Sequence, residues 1–164
     1  MPVRIRAVQN RRSLRFQTLA EVLADAETLV AASCQMLGNW SLGQLLAHLA
    51  RAIDGSIDGT MPGPLVFRVI GPMIRNRCLT RGLPAGTRLS KTRERRLYPE
   101  TCSPRGGLDA LRAAVRRLDA ERMTALHPIF GRLTHEQWLQ FHLRHAELHL
   151  SFVRAETPVA GLAK

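Results

Sequence analysis

Three times in this chain a Ser or Thr is followed, three residues on, by Glu or Gln at the head of an apolar stripe: "TLAE" from Thr18, "SLGQ" from Ser41 and "THEQ" from Thr134. In that pattern the hydroxyl accepts from the backbone amide of the third residue, and the longer side chain reaches back to the cap. Amides that no helical carbonyl can reach are thereby satisfied. A fourth start lies at Ser103, which can cap, with Pro104 at the first helical position, where its missing N–H costs nothing. The stripes that follow are one-sided: Leu19, Val22, Leu23, Ala26, Leu29 and Val30 in the first helix, Leu42, Leu45, Leu46, Leu49 and Ile53 in the second, Leu108, Leu111, Val115 and Leu118 in the third. The reading is an all-α four-helix bundle in one domain spanning 1–164, with helices over about residues 18–36, 41–57, 104–125 and 134–155. The connection 58–103 is too long for a tight turn and is punctuated by proline and glycine. It is read as an irregular crossover, in which "PLVFRVIGPMIRNRCL" could form one short helix.

The chain of 164 residues is 45% hydrophobic, enough for a globular core without staples, and it has no apolar run long enough to span a membrane. Glu21, Asp25 and Glu27 interrupt the segment where a signal peptide would need apolar residues, so no export signal is expected and the location is expected to be cytoplasmic. Cys34, Cys78 and Cys102 are odd in number and widely spaced. They are read as reduced thiols rather than a disulfide framework. The charge is strongly positive, with 24 Lys plus Arg against 13 Asp plus Glu, and only Lys91 and Lys164 are lysines. That balance favours anionic partners without choosing among them.

Three of the six histidines fall in "FHLRHAELHL", Phe141 to Leu150. On a helical wheel at about 100° per residue with Trp138 at zero, His142, His145 and His149 lie at about 40°, 340° and 20°. Glu136, Gln137, Gln140, Arg144, Glu147, Ser151 and Arg154 occupy the opposite arc. The histidines therefore share the buried face with Trp138, Phe141, Leu148, Phe152 and Val153, where imidazoles must find hydrogen-bond partners or a cation. His145 and His149 are one turn apart, the spacing that lets two rings converge on one metal. A third ligand must come from another helix, and His48 is the candidate, although it sits on the shoulder of its apolar stripe. His127, before Pro128, and His135, in a first turn, are read as structural or solvent-facing.

"NWSLGQLLAHLA" (Asn39 to Ala50) and "HPIFGRLTHEQWLQFHLRHAELHLSF" (His127 to Phe152) together resemble the DinB-like (YfiT-like) metal-binding four-helix proteins, in particular a branch without assigned function. "RRSLRF" (Arg11 to Phe16) is similar to the way that branch begins. The resemblance implies an up-down-down-up bundle with a divalent metal, zinc or nickel, held at the positions of His48, His145 and His149. His142 and Trp138 would then line the pocket or support the ligands. Relatives often carry a further histidine where this chain has Leu148.

Three neutral imidazoles leave a metal position open, the arrangement of catalytic sites, where the ion lowers the pKa of a bound water or thiol. Families in the superfamily include thiol-dependent S-transferases and isomerases. The expectation is such an enzyme, using a low-molecular-weight thiol on a small, anionic substrate, in preference to a hydrolase. A hydrolase would want a general base, and Glu147 points to the polar arc. The competing reading is a non-enzymatic module for an anionic partner, built on the arginine-rich stretch 68–96 with a structural or vacant histidine cluster. Arg75, Arg77 and Arg81 are its candidate anion contacts. Nucleic acid is disfavoured, because only Phe67 and Tyr98 lie near that stretch to stack on bases and no helix-turn-helix motif is present. A homodimer is left open.

Overall fold

In a computed structural model, the described residues are 3–59, 66–86 and 100–156. Among them the chain is mostly helical: α1 (Leu19–Ala31), α2 (Leu42–Asp58), α3 (Val66–Arg81), α4 (Pro104–Arg117) and α5 (His135–Leu150). A 3-10 turn (Ile5–Ala7) precedes them. Short strands β1 (Cys34–Met36), β2 (Leu126–His127), β3 (Gly131–Arg132) and β4 (Val153–Ala155) lie between and after. No described helix is long and apolar enough to cross a membrane.

The expected caps form. Ser41 and Thr134 make complete reciprocal boxes with Gln44 and Gln137 at the heads of α2 and α5. Ser103 accepts from the Gly106 amide at 3.0 Å ahead of Pro104. At α1 the hydroxyl of Thr18 caps the Glu21 amide, while the Glu21 carboxylate reaches past it to the amide of Gln17 at 2.8 Å.

Helix ends depart from the expected bounds, for identifiable reasons. α1 stops at Ala31, not near 36, because Ala32 is extended and Cys34–Met36 pairs antiparallel with Val153–Ala155. The same pairing ends α5 at Leu150 rather than near 155. α4 ends at Arg117 instead of near 125: the amides of Thr124 and Ala125 both go to the Ser56 carbonyl at 3.1 Å, which pulls the chain off the helix axis. The crossover carries a helix of 16 residues, α3, despite Pro72 in its interior. Within the crossover, 60–65 and 87–99 lie outside the described residues.

The most extensive helix contact is between α2 and α4, and α5 packs on α1, α2 and α3. The α2–α4 approach is close because glycine meets glycine. A Cβ on Gly107 would sit 2.5 Å from the Gly43 carbonyl oxygen, and one on Gly43 would collide with the Cys102 carbonyl. The core has two parts. Leu29, Leu46, Leu111, Ala146 and Leu150 belong to the larger, and Met123, Phe130, Leu133 and Trp138 form the smaller, beneath α3 and the β2–β3 hairpin. Arg117 ties the ends of α2 and α4 together through Asp54, Asp58 and Glu121 at 2.6–2.9 Å.

Candidate metal centre

α5 bears the histidine face, and both of its ends are fixed. At the C-terminus Arg11 donates to Ser151 Oγ at 2.6 Å and to the Leu148 carbonyl at 3.3 Å. Arg12 reaches the Leu150 carbonyl while making a two-pronged pair with Asp25 at 2.7 Å. Two guanidinium groups thus meet carbonyls that have no helical partner, where the helix dipole also favours positive charge.

The amino-terminal arm then crosses a part of α5 that the wheel assigned to solvent. Arg144 is 4% exposed, Glu147 9% and, just past the helix, Ser151 4%, which corrects the polar-arc reading for these three residues. Arg144 donates to the Phe16 carbonyl at 2.6 Å and to Glu147 at 2.9 Å, and the same Glu147 oxygen accepts the Phe16 amide at 2.7 Å. Both main-chain groups of Phe16 are satisfied by one turn of helix, while Arg12 Nε and Arg144 Nε are buried without a hydrogen-bond partner among the described residues.

On the opposite side of α5 the rings meet. His145 Nε2 lies 3.2 Å from His48 Nε2 and 3.0 Å from His149 Nε2. One nitrogen from each ring lies within 4.8 Å of the others, and the three could hold a metal ion. His48, placed on a shoulder by the wheel, is 3% exposed, whereas His145 and His149 keep a partly exposed edge. A neutral imidazole nitrogen offers one proton or one lone pair, so a hydrogen bond serves at most one of the two contacts at His145 Nε2 well. A cation at the centre serves all three. Rings bound at a metal–nitrogen length of about 2.0–2.1 Å place their nitrogens roughly 3.0–3.4 Å apart, and the two contacts at His145 Nε2 fall in that range.

Electrostatics agree with neutral rings. Burial, followed by the neighbouring imidazoles, holds His145 well below the ordinary histidine range. His149 is lowered by burial, then by His48 and by the charge of Arg11. The unprotonated form is the one a metal requires. His145 Nδ1 is buried and has no hydrogen-bond partner among the described residues, the Phe141 ring lying stacked beside it at 5.2 Å.

The remaining expected residues separate from this cluster. His142 points to Ser56, with Nε2 3.1 Å from Oγ. Because the Ser56 hydroxyl donates to the Ile53 carbonyl at 2.5 Å, it accepts from His142, and the proton is on Nε2. Burial pulls His142 down to about 3. Trp138 stacks on His142 at 5.5 Å and sends its indole N–H to the Ala125 carbonyl, inside the smaller core. It supports a neighbour of the triad but does not line the triad itself. His127 is buried and caps its own loop, accepting the amides of Ile129 and Phe130 at 3.1 and 3.0 Å, and His135 accepts from the Met123 amide. Both are structural. Of the candidate anion contacts, Arg75 is turned inward onto the Arg132 carbonyl at 3.2 Å, while Arg77 and Arg81 are exposed. Arg88, Lys91, Arg93, Arg95 and Arg96 fall outside the described residues.

The sequence reading missed Trp40. Its ring lies parallel to His149 at 5.5 Å and edge-on to His48 at 4.8 Å, forming one wall of the triad. The signal was its place immediately before the Ser41 cap, where an apolar residue commonly folds back over the first turn. The Ser56 hydroxyl and Arg11 were also missed, having no periodicity to mark them.

These features define a mostly helical protein with three imidazoles, drawn from two helices, that can hold a metal ion. Residues 8–156 match the family model described as "Protein of unknown function (DUF1569)". The match spans most of the chain, and the chain belongs to that family. Comparisons with curated proteins and with solved structures give no match.

Proposed function

We propose that this protein is a divalent-metal-dependent enzyme of the DinB-like type, with zinc or nickel held by His48, His145 and His149 and used on a small thiol in S-transfer or isomerisation. The observation that carries the reading is the convergence of three imidazole nitrogens from positions 97 residues apart in sequence. In this reading α1, α2, α4 and α5 are the four helices of the up-down-down-up bundle, and α3 is an insertion in its crossover. A bound divalent ion would supply Lewis acidity that lowers the pKa of a thiol or water at its open position.

The chain's own residues do the rest. His48, His145 and His149 would hold the ion through imidazole nitrogens, which bring no negative charge to cancel its own. Trp40 walls one side and limits how a substrate enters. Cys34 and Cys78 are poor sources of the sulfur: Cys34 donates to the Leu29 carbonyl at 3.2 Å, and burial raises both above the ordinary thiol range. The thiol in this reading is a small molecule supplied from outside. Glu147 is not available as a hydrolytic base, its carboxylate being committed to Phe16 and Arg144 on the far side of α5. That commitment favours thiol transfer over hydrolysis.

Protein purified without a histidine tag should contain, or take up from zinc or nickel buffer, about one equivalent of metal. His48→Ala, His145→Ala and His149→Ala should each lose it, while His135→Ala should keep it. Metal content below about a tenth of an equivalent after such dialysis removes the enzyme reading, and equal retention in all four variants removes the ligand assignment. Turnover of thiol donors by the metal-loaded protein, abolished in the same three variants, separates transferase from hydrolase.

A further inference from the structure

We propose that the outer face of α3 is a docking surface for an anionic lipid bilayer. Val66, Ile70, Met73 and Ile74 recur at helical spacing and are 36–79% exposed, Met73 the most. They account for four of the six large apolar side chains that stand out to solvent among the described residues. Continued along the same face, the next positions at that spacing are Arg77 and Arg81, both exposed.

The helix is turned this way by its other side. Gly71 and Leu79 are buried, Gly71 so close to the Ile129 carbonyl that a Cβ would collide with it, and Arg75 is anchored on Arg132. α3 therefore cannot roll its apolar stripe inward without losing that contact. Scattered apolar residues on a surface need no explanation, but a continuous stripe along one helix does.

Charge selects the occupant. α3 contains four arginines and no acidic residue, in a chain of formal net charge +11. A second copy would bring the same positive charge against this face. A nucleic acid would find phosphate contacts in Arg77 and Arg81 but no use for an aliphatic stripe. An interface of acyl chains beneath anionic headgroups satisfies both features, with the aliphatic side chains entering the headgroup boundary and the guanidiniums pairing with phosphates.

The full-length protein should cosediment with vesicles of phosphatidylcholine containing phosphatidylglycerol, and about tenfold less with phosphatidylcholine alone. Met73→Asp and Ile70→Ser should each weaken binding to the mixed vesicles about tenfold, as should the pair Arg77→Glu and Arg81→Glu. Unchanged helicity by circular dichroism shows that the variants fold, since these side chains belong to neither core cluster among the described residues. Absence of binding to the mixed vesicles at low salt overturns the proposal, as does binding that Met73→Asp and Ile70→Ser leave intact. A concentration-dependent dimer in solution that Met73→Asp dissolves assigns the face to a second copy instead and also overturns it. None of these readouts depends on metal at the triad.

Discussion

At Glu147 a single carboxylate oxygen accepts both the Phe16 amide and the Arg144 guanidinium, at 2.7 and 2.9 Å. Glu147→Ala leaves the Arg144 charge buried and the Phe16 amide unpaired, a loss expected to cost about 3–5 kcal/mol in urea unfolding. Glu147→Gln retains an acceptor and should cost less. His142 sets a pH dependence. Unfolded, it takes up a proton near 6.5; folded and buried, only near about 3. A base whose folded pKa is depressed contributes its stability above the unfolded value and loses it as acid is added. Between about pH 6.5 and 3, stability should therefore fall by up to about 1.4 kcal/mol per pH unit from this ring alone. Unfolding midpoints at pH 7 and pH 5 should differ less in His142→Gln than in the parent chain. The histidine face was legible residue by residue, because burial follows from angle on a helix. The fate of Arg144 and Glu147 was not, because angle says nothing of what covers a helix from outside.

Among the elements, the α2–α4 crossing sets the tightest tolerance. Gly43→Ala places a methyl against the Cys102 carbonyl, and Gly107→Ala one against Gly43. Since the neighbours are backbone and cannot rotate away, each variant should lose about 1–3 kcal/mol on thermal or urea unfolding, with the double variant losing less than the sum because the first shift relieves the second. Helix starts were legible through side chains with a fixed chemical role, the caps Ser41, Ser103 and Thr134. Helix ends were not, because they are set by partners far away in sequence: β1 meets β4 across more than a hundred residues, and Ser56 draws in Thr124 and Ala125. Strands of two or three residues are too short to show alternation, so they left no trace in the pattern.

For the whole molecule, the triad draws its members from α2 and α5, so an ion bound there joins helices that the chain visits nearly a hundred residues apart. A ligand that binds the folded state alone adds stability by mass action, about 2.7 kcal/mol at a free concentration a hundredfold above Kd. Zinc or nickel should raise the unfolding midpoint of the parent chain, a chelator should reverse the gain, and His149→Ala should respond to neither. An unchanged midpoint at saturating metal would count against ligation from both helices. The positive charge, prominent in composition, pointed to anions in general; among the described residues, the exposed Arg77 and Arg81 of α3 give it a direction in space.

Trp40 stands with its ring parallel to that of His149 and edge-on to His48. An indole so placed is an optical probe already wired to the site, because its emission depends on what the adjacent rings carry. The chain has one other tryptophan, Trp138, which is buried against His142 in the smaller core. With that second emitter replaced by phenylalanine, occupancy of the three imidazoles can be followed by light alone, without knowledge of a substrate.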